Sequence, residues 1–270
     1  MAKSTKNIRG IQHRFLDEAG DSTFYGKGKK LIVGENGVSL SFMIGMLKIK
    51  EPLDGIRKQV EALQMQIAND VYFSDIPSIQ KKKNTFGYYF HATDDLPEVR
   101  KIFYDFIKTL DCSFEVVVGR KEQTLFETQH NRKENEFYAD LLSHLLKNRV
   151  GKPEKLILNI AERGNTTKNT TMQLALLKAE AQFIKKYPQK RLHSNVVFNV
   201  QNPLTEPLVN IADYLCWAVQ RVFERGEVRY YNYVKEKISL VMDLYDTTND
   251  NYYTVKNPLS AKNRLSPPLP

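Results

Sequence analysis

Four acidic residues, Asp17, Glu18, Glu162 and Asp213, stand where this chain could do metal chemistry. In "HRFLDEAGDSTFYG" (residues 13–26), Asp17 and Glu18 follow a short apolar run, and Asp21 comes just after Gly20. Glu162 closes the run "KLILNIAE", and Asp213 lies inside "EPLVNIADYLCWAVQRV". Phosphodiester hydrolysis assisted by two cations about 4 Å apart needs carboxylates to hold them, and three or four from separate elements suffice. In open α/β sheets such sites form where strands end and a helix edge faces them. The order strand end, strand end, helix is the one such a site requires.

Each acid also has a plainer reading. Asp17 and Glu18 fit an acidic turn, with "AGD" supplying ordinary turn chemistry. Alternation along a strand lets only one of the two point directly into a given site. Glu162 fits a surface residue paired with Arg163 or Lys168. Projected at 100° per residue, Asp213 falls with Glu206, Asn210, Trp217 and Gln220 on the flank opposite the apolar stripe, which reads as solvent-facing. Trp217, the only tryptophan, argues that this flank is not simply bathed in water.

Further candidates are cationic or aromatic. His91, in "YFHATDD", could position water or touch a scissile phosphate, or be structural. Arg120 and Lys121 follow a strand and could bind phosphate through charge-assisted donors, or be ordinary strand-end cations. Lys168, in the polar turn after Glu162, is a further candidate for a substrate phosphate. Lys81, Lys82 and Lys83 sit among Tyr72, Phe73, Phe86, Tyr88, Tyr89 and Phe90. Such a segment suits backbone and stacking contact with a single strand, or is a solvated loop beside core aromatics. "GKGKK" at residues 26–30 lacks P-loop spacing, and no Ser-His-Asp or Cys-His arrangement is readable.

The elements that must place these residues alternate between strand and helix. "HRFLDEA" reads as a first strand with "FYGKGKKLIVG" as hairpin partner, and residues 38–49 as a nearly continuous apolar strand covered on both faces. Strands are expected at "CSFEVVVGRK", "KLILNIAERG" and, as the last core strand, "NVVFNV". Helices are expected over residues 53–68, from Val99 to Ile107, from Phe137 to Leu146, up to Lys186, and from Leu208 to Phe223, each carrying an apolar stripe of helical period. The expectation is one α/β domain over residues 10–245, with an insertion around 70–95 and an extended, proline-bearing tail over 246–270.

With 41% hydrophobic and 26% charged residues, the chain has the composition of a globular protein. No apolar run approaches the roughly 20 residues of a membrane span, and the basic N-terminus lacks the apolar core of a secretory signal. A cytoplasmic protein with Cys112 and Cys216 reduced is therefore expected. Its net charge of +9 suits a polyanionic partner such as nucleic acid.

Several segments resemble the domain-of-unknown-function-3800 family. "FLDEAGDS" is similar to that family's "DESGD"-type opening, with Ala19 where serine is usual. "LVNIADYLCWAVQR" resembles its closing helix, typically a "QIAD" segment, with Asn210 in place of glutamine. "FHATDD" and "VVVGRK" are also similar to family segments. The resemblance runs from about residue 13 to 225 and implies a ribonuclease-H-like fold, a mixed central sheet of five strands flanked by helices. It further implies a site for Mg2+ or Mn2+ on Asp17, Glu162 and Asp213, with Glu18 as a possible fourth acid. The middle position departs from the family pattern, because "NIAERG" offers Asn159 and Glu162 but no aspartate. The expected activity is metal-dependent hydrolysis of DNA or RNA, leaving a 5′-phosphate and a 3′-hydroxyl. The alternatives are a non-catalytic nucleic-acid-binding module on the same fold and a prophage or defence-system accessory that acts through a protein partner.

Overall fold

The computed structural model describes residues 10–85, 87–162, 168–246 and 251–266. In chain order the strands are β1 (Ile11–Gly20), β2 (Ser41–Ile49), β3 (Cys112–Arg120), β4 (Lys155–Ala161), β5 (Val196–Gln201), β6 (Ile238–Asp243) and β7 (Tyr252–Tyr253). The α-helices are α1 (Leu53–Asn69), α2 (Pro77–Thr85), α3 (Pro97–Thr109), α4 (Gln123–Gln129), α5 (Glu134–Leu146), α6 (Asn169–Lys186), α7 (Leu208–Arg225) and α8 (Arg229–Val234). The strands form one mixed sheet in the order β5-β4-β1-β2-β3-β6-β7. β2 is antiparallel to both β1 and β3, whereas β1, β4 and β5 run parallel, so their carboxyl ends lie along one border.

Helices cover both faces, as apolar strands demand. On one face Phe15, Ala19, Met43, Leu47, Phe114 and Val116 pack against α1, α3, α7 and α8. On the other, Leu16, Phe42, Ile44, Met46, Leu158 and Ile160 meet α4, α5 and α6. Every residue of β2 except Lys48 is buried, which matches its unbroken apolar run. Gly45 sits opposite Asp17 in the β1–β2 ladder because Phe114 fills the space above it. An added Cβ there would lie 2.0 Å from Cζ of that ring.

Four expectations change. "FYGKGKKLIVG" is not the hairpin partner of β1; that role belongs to β2. The segment makes a 3-10 turn at Lys27–Lys29 and a single Tyr25–Leu31 bridge. Asp21 closes this loop by accepting from the N–H groups of Thr23 (2.9 Å) and Ser39 (2.8 Å). "NVVFNV" is an edge strand rather than a core one: Val197 and Val200 are exposed, and β5 has β4 as its partner. Described residues beyond 245 are docked, with Tyr253 and Leu259 buried and the Leu265 N–H bonded to the Phe223 carbonyl at 2.7 Å. β6 and β7 bring the sheet to seven strands where five were expected.

Among the described residues, no helix is long and apolar enough to cross a membrane.

Candidate active site

The carboxyl ends of β1, β4 and β5 open onto a cleft of about 580 Å³, closed on the far side by α7. Its walls carry Asp17, Glu18, Glu162, Asp213 and His91, together with Tyr89, Thr93, Asn202, Leu204, Trp217 and Gln220. Four acids that are as much as 196 residues apart in sequence (17 to 213) thus line one space.

β1 delivers the first pair. Phe15 and Ala19 belong to the core under α7, so alternation turns Asp17, between them, toward that helix. Glu18 follows the opposite parity with Leu16 and is buried, yet both residues line the cleft because the strand ends there. The Asp17 Oδ1 accepts the Glu18 N–H at 2.7 Å. Gly20 ends the strand at φ +85°, with the Ser41 carbonyl oxygen 2.4 Å from where a Cβ would stand. Only glycine takes that conformation in that space without strain. β4 runs parallel to β1, with Leu16 opposite Ile160, so Glu162 emerges beside the acids of β1. Its side chain is exposed, and its N–H is held by the Gln201 carbonyl of β5 at 2.9 Å.

Asp213 does not face solvent. The polar flank of α7 is covered turn by turn by elements that helical period does not reveal. Glu206 takes Arg57 of α1 (2.8 Å), and Asn210 accepts from Gln64 (3.0 Å). Asp213 Oδ2 accepts the Ala92 N–H at 2.7 Å, and Trp217 carries the Arg100 guanidinium 4.5 Å from its ring centroid. At the far end, Glu224 receives the Leu40 and Ser41 N–H groups, which fixes the helix against β2. Burial pushes the Asp213 carboxyl up to about 6; nearby Asp95 adds to this, while His91, the Ala92 N–H and Lys82 oppose it.

The loop carrying His91 is held by Asp95, a buried carboxylate. Asp95 accepts from the hydroxyls of Tyr214 (2.6 Å) and Tyr88 (3.1 Å) and from the His91 N–H (2.8 Å), and it pairs with Lys82 at 3.4 Å. The same loop sets His91 Nδ1 2.9 Å from Asp94 Oδ2.

Three expected substrate contacts lie elsewhere. Arg120 is committed to Asp243 (2.7 Å) and Asp246 (3.1 Å). Lys121 is buried, with its Nζ 2.8 Å from Asp21 Oδ1 and 3.0 Å from the Thr23 carbonyl; burial lowers its pKa and the Asp21 pairing opposes that. Both are structural ion pairs. Lys168 is exposed just before α6 and does not line the cleft. Arg163, the possible partner of Glu162, lies outside the described residues. Sequence reasoning missed Asn202, Leu204, Gln220 and Asp95 as parts of the site. The first two follow "NVVFNV" directly, and a parallel strand's carboxyl end was the signal that could have found them.

Among the described residues, no three His, Cys, Asp or Glu side chains form a group that could hold a metal ion. Comparison of the chain with family models, curated proteins and solved structures finds no match in any of the three.

Proposed function

We propose that this protein is a divalent-metal-dependent phosphodiesterase that hydrolyses nucleic acid, built on a ribonuclease-H-like variant of the α/β fold. The observation that carries the reading is the meeting of Asp17, Glu18, Glu162 and Asp213 at one cleft, on the carboxyl ends of β1 and β4 and on α7. The first five strands form the mixed arrangement that the family resemblance implies, with β6 and β7 added at one border.

The donor chemistry fits a hard cation. The cleft's acids offer carboxylate oxygens and no thiolate, the ligand preference of Mg2+ and Mn2+. Asp17, Glu162 and Asp213, which line the cleft but do not stand close enough together here to form a metal-holding group, would have to draw in around the cation, with Glu18 adjacent. When bound, such an ion supplies Lewis-acid stabilisation of phosphoryl oxygens and makes water a better nucleophile. The Ala92 N–H orients Asp213, so that one carboxylate oxygen is fixed by the backbone. His91, half-exposed on the rim, would donate to a phosphate oxygen. The 88–95 loop covers one side of Asp213, and this burial strengthens its interaction with any cation in the cleft.

The test is incubation of the full chain with single- and double-stranded DNA and RNA, in Mg2+, Mn2+ or EDTA. Metal-dependent cleavage that falls by several orders of magnitude in Asp17→Asn and Asp213→Asn is expected. Cleavage that persists in both variants, or in EDTA, sinks the assignment. Salt-sensitive binding without turnover would instead favour a binding module on the same fold.

A further inference from the structure

Tyr89 stands in the wall of the acidic cleft. That side chain also lines a second cavity of about 370 Å³, bounded by Ser78, Lys81, Lys82 and Thr85 of α2 and by Asp94. Tyr89 is therefore the wall shared by the two spaces.

The two lysines that face the second cavity differ in their commitments. Lys82 is an internal support. Its ammonium lies 4.6 Å from the Tyr89 ring centroid, donates to the Tyr89 carbonyl at 3.1 Å, and pairs with Asp95 at 3.4 Å and Asp94 at 3.8 Å. With a cation over it and its carbonyl held, the Tyr89 ring is set in place rather than swinging freely. Lys81, one residue earlier, is exposed and pairs with no acid among the described residues. Asp94, the one acid of this cavity, is engaged by both His91 (2.9 Å) and Lys82. A fixed, half-buried aromatic ring next to an uncommitted ammonium is the pairing that a nucleotide recognises, base on ring and phosphate on cation.

We propose that the groove between α2 and the 88–95 loop is a subsite for a single strand of nucleic acid leaving the acidic cleft, with one base stacked on Tyr89 and an adjoining phosphate at Lys81. This rests on the reading of the cleft as a nucleic-acid hydrolase. It adds the strand's path and its single-stranded form. A base within a duplex has both faces occupied by its neighbours and cannot lie on Tyr89 unless the helix opens.

The experiment is equilibrium binding of the full chain to a labelled oligothymidylate in EDTA, where turnover is absent, against a duplex of equal length. Tyr89→Ala should weaken single-strand binding roughly 5- to 150-fold, the range one base–aromatic stack supplies. Tyr89→Phe should bind as the wild type does. Lys81→Ala, an exposed substitution that leaves the fold untouched, should reduce the slope of log K against log salt by about 0.7, the value for one single-strand phosphate contact. Wild-type affinity in Tyr89→Ala, an unchanged slope in Lys81→Ala, or a preference for the duplex overturns the proposal. Failure of the hydrolase reading shows separately, as intact substrate when Mg2+ or Mn2+ is added to a wild-type protein that still binds the strand.

Discussion

Replacing Asp213 with asparagine should stabilise the metal-free protein at pH 8, and the gain should vanish in acid. Asp213 is 7% exposed, and its carboxyl titrates near 6 rather than 3.8 because burial outweighs the help of the Ala92 N–H, His91 and Lys82. A carboxyl whose folded pKa lies above its unfolded value favours the folded state when protonated. That contribution is fully present below about pH 4 and is lost as pH rises through about 6. The displacement from 3.8 to about 6 corresponds to about 3 kcal/mol at ~1.36 kcal/mol per pH unit. Asp213→Asn removes the charge and keeps an oxygen to accept the Ala92 N–H. At pH 8 in EDTA its melting temperature should therefore exceed that of the wild type by roughly 6–12 °C, at about 2–4 °C per kcal/mol for a chain of this size. At pH 4 the two should melt together, and the loss of other ion pairs in acid cancels because both proteins share it. The assay is calorimetry of both proteins from pH 4 to 8. A pH-independent difference, or an asparagine variant less stable at pH 8, would refute the reasoning.

Two further outcomes are expected. Asp95→Ala takes from the Lys82 ammonium, whose side chain is only 11% exposed, the nearer of its two carboxylates and leaves the Tyr88 and Tyr214 hydroxyls without their acceptor. It should cost about 3–5 kcal/mol in urea unfolding, and a cost below about 1 kcal/mol would remove Asp95 from its place as anchor of the loop. Gly45→Ala drives a methyl to within 2.0 Å of the Phe114 ring and should cost at least about 1–3 kcal/mol. Phe114→Leu added to it should restore part of the loss, and strict additivity of the two changes would argue against the clash.

The strands that carry Asp17 and Glu162 could be read from sequence because each acid ends a long apolar run. In an open sheet the end of such a run is where chemistry gathers. Asp213 was hidden by the very rule that located its helix. Period assigns a residue to a flank, but it cannot say that Arg57, Gln64, Ala92 and Arg100 from distant segments will cover that flank. The lone tryptophan was the one local sign of this. Arg120 and Lys121 misled for the opposite reason. Their acids, Asp243 and Asp21, stand 123 and 100 residues away, and a strand-end cation looks the same in sequence whether it is free or engaged. The two-residue β7 in the docked segment gives period almost nothing to act on.

Trp217 has a practical consequence. It is the chain's only indole, it is 6% exposed, and it forms part of the cleft wall. The guanidinium that lies over it also donates to the Ala92 carbonyl at 2.7 Å, on the residue whose N–H holds Asp213. The molecule thus contains a single native indole wired by two hydrogen bonds and one cation–π contact to the carboxylate at its centre. Excited at the red edge of its absorption, where the 14 tyrosines absorb little, its emission reports on one place only, with no dye to attach.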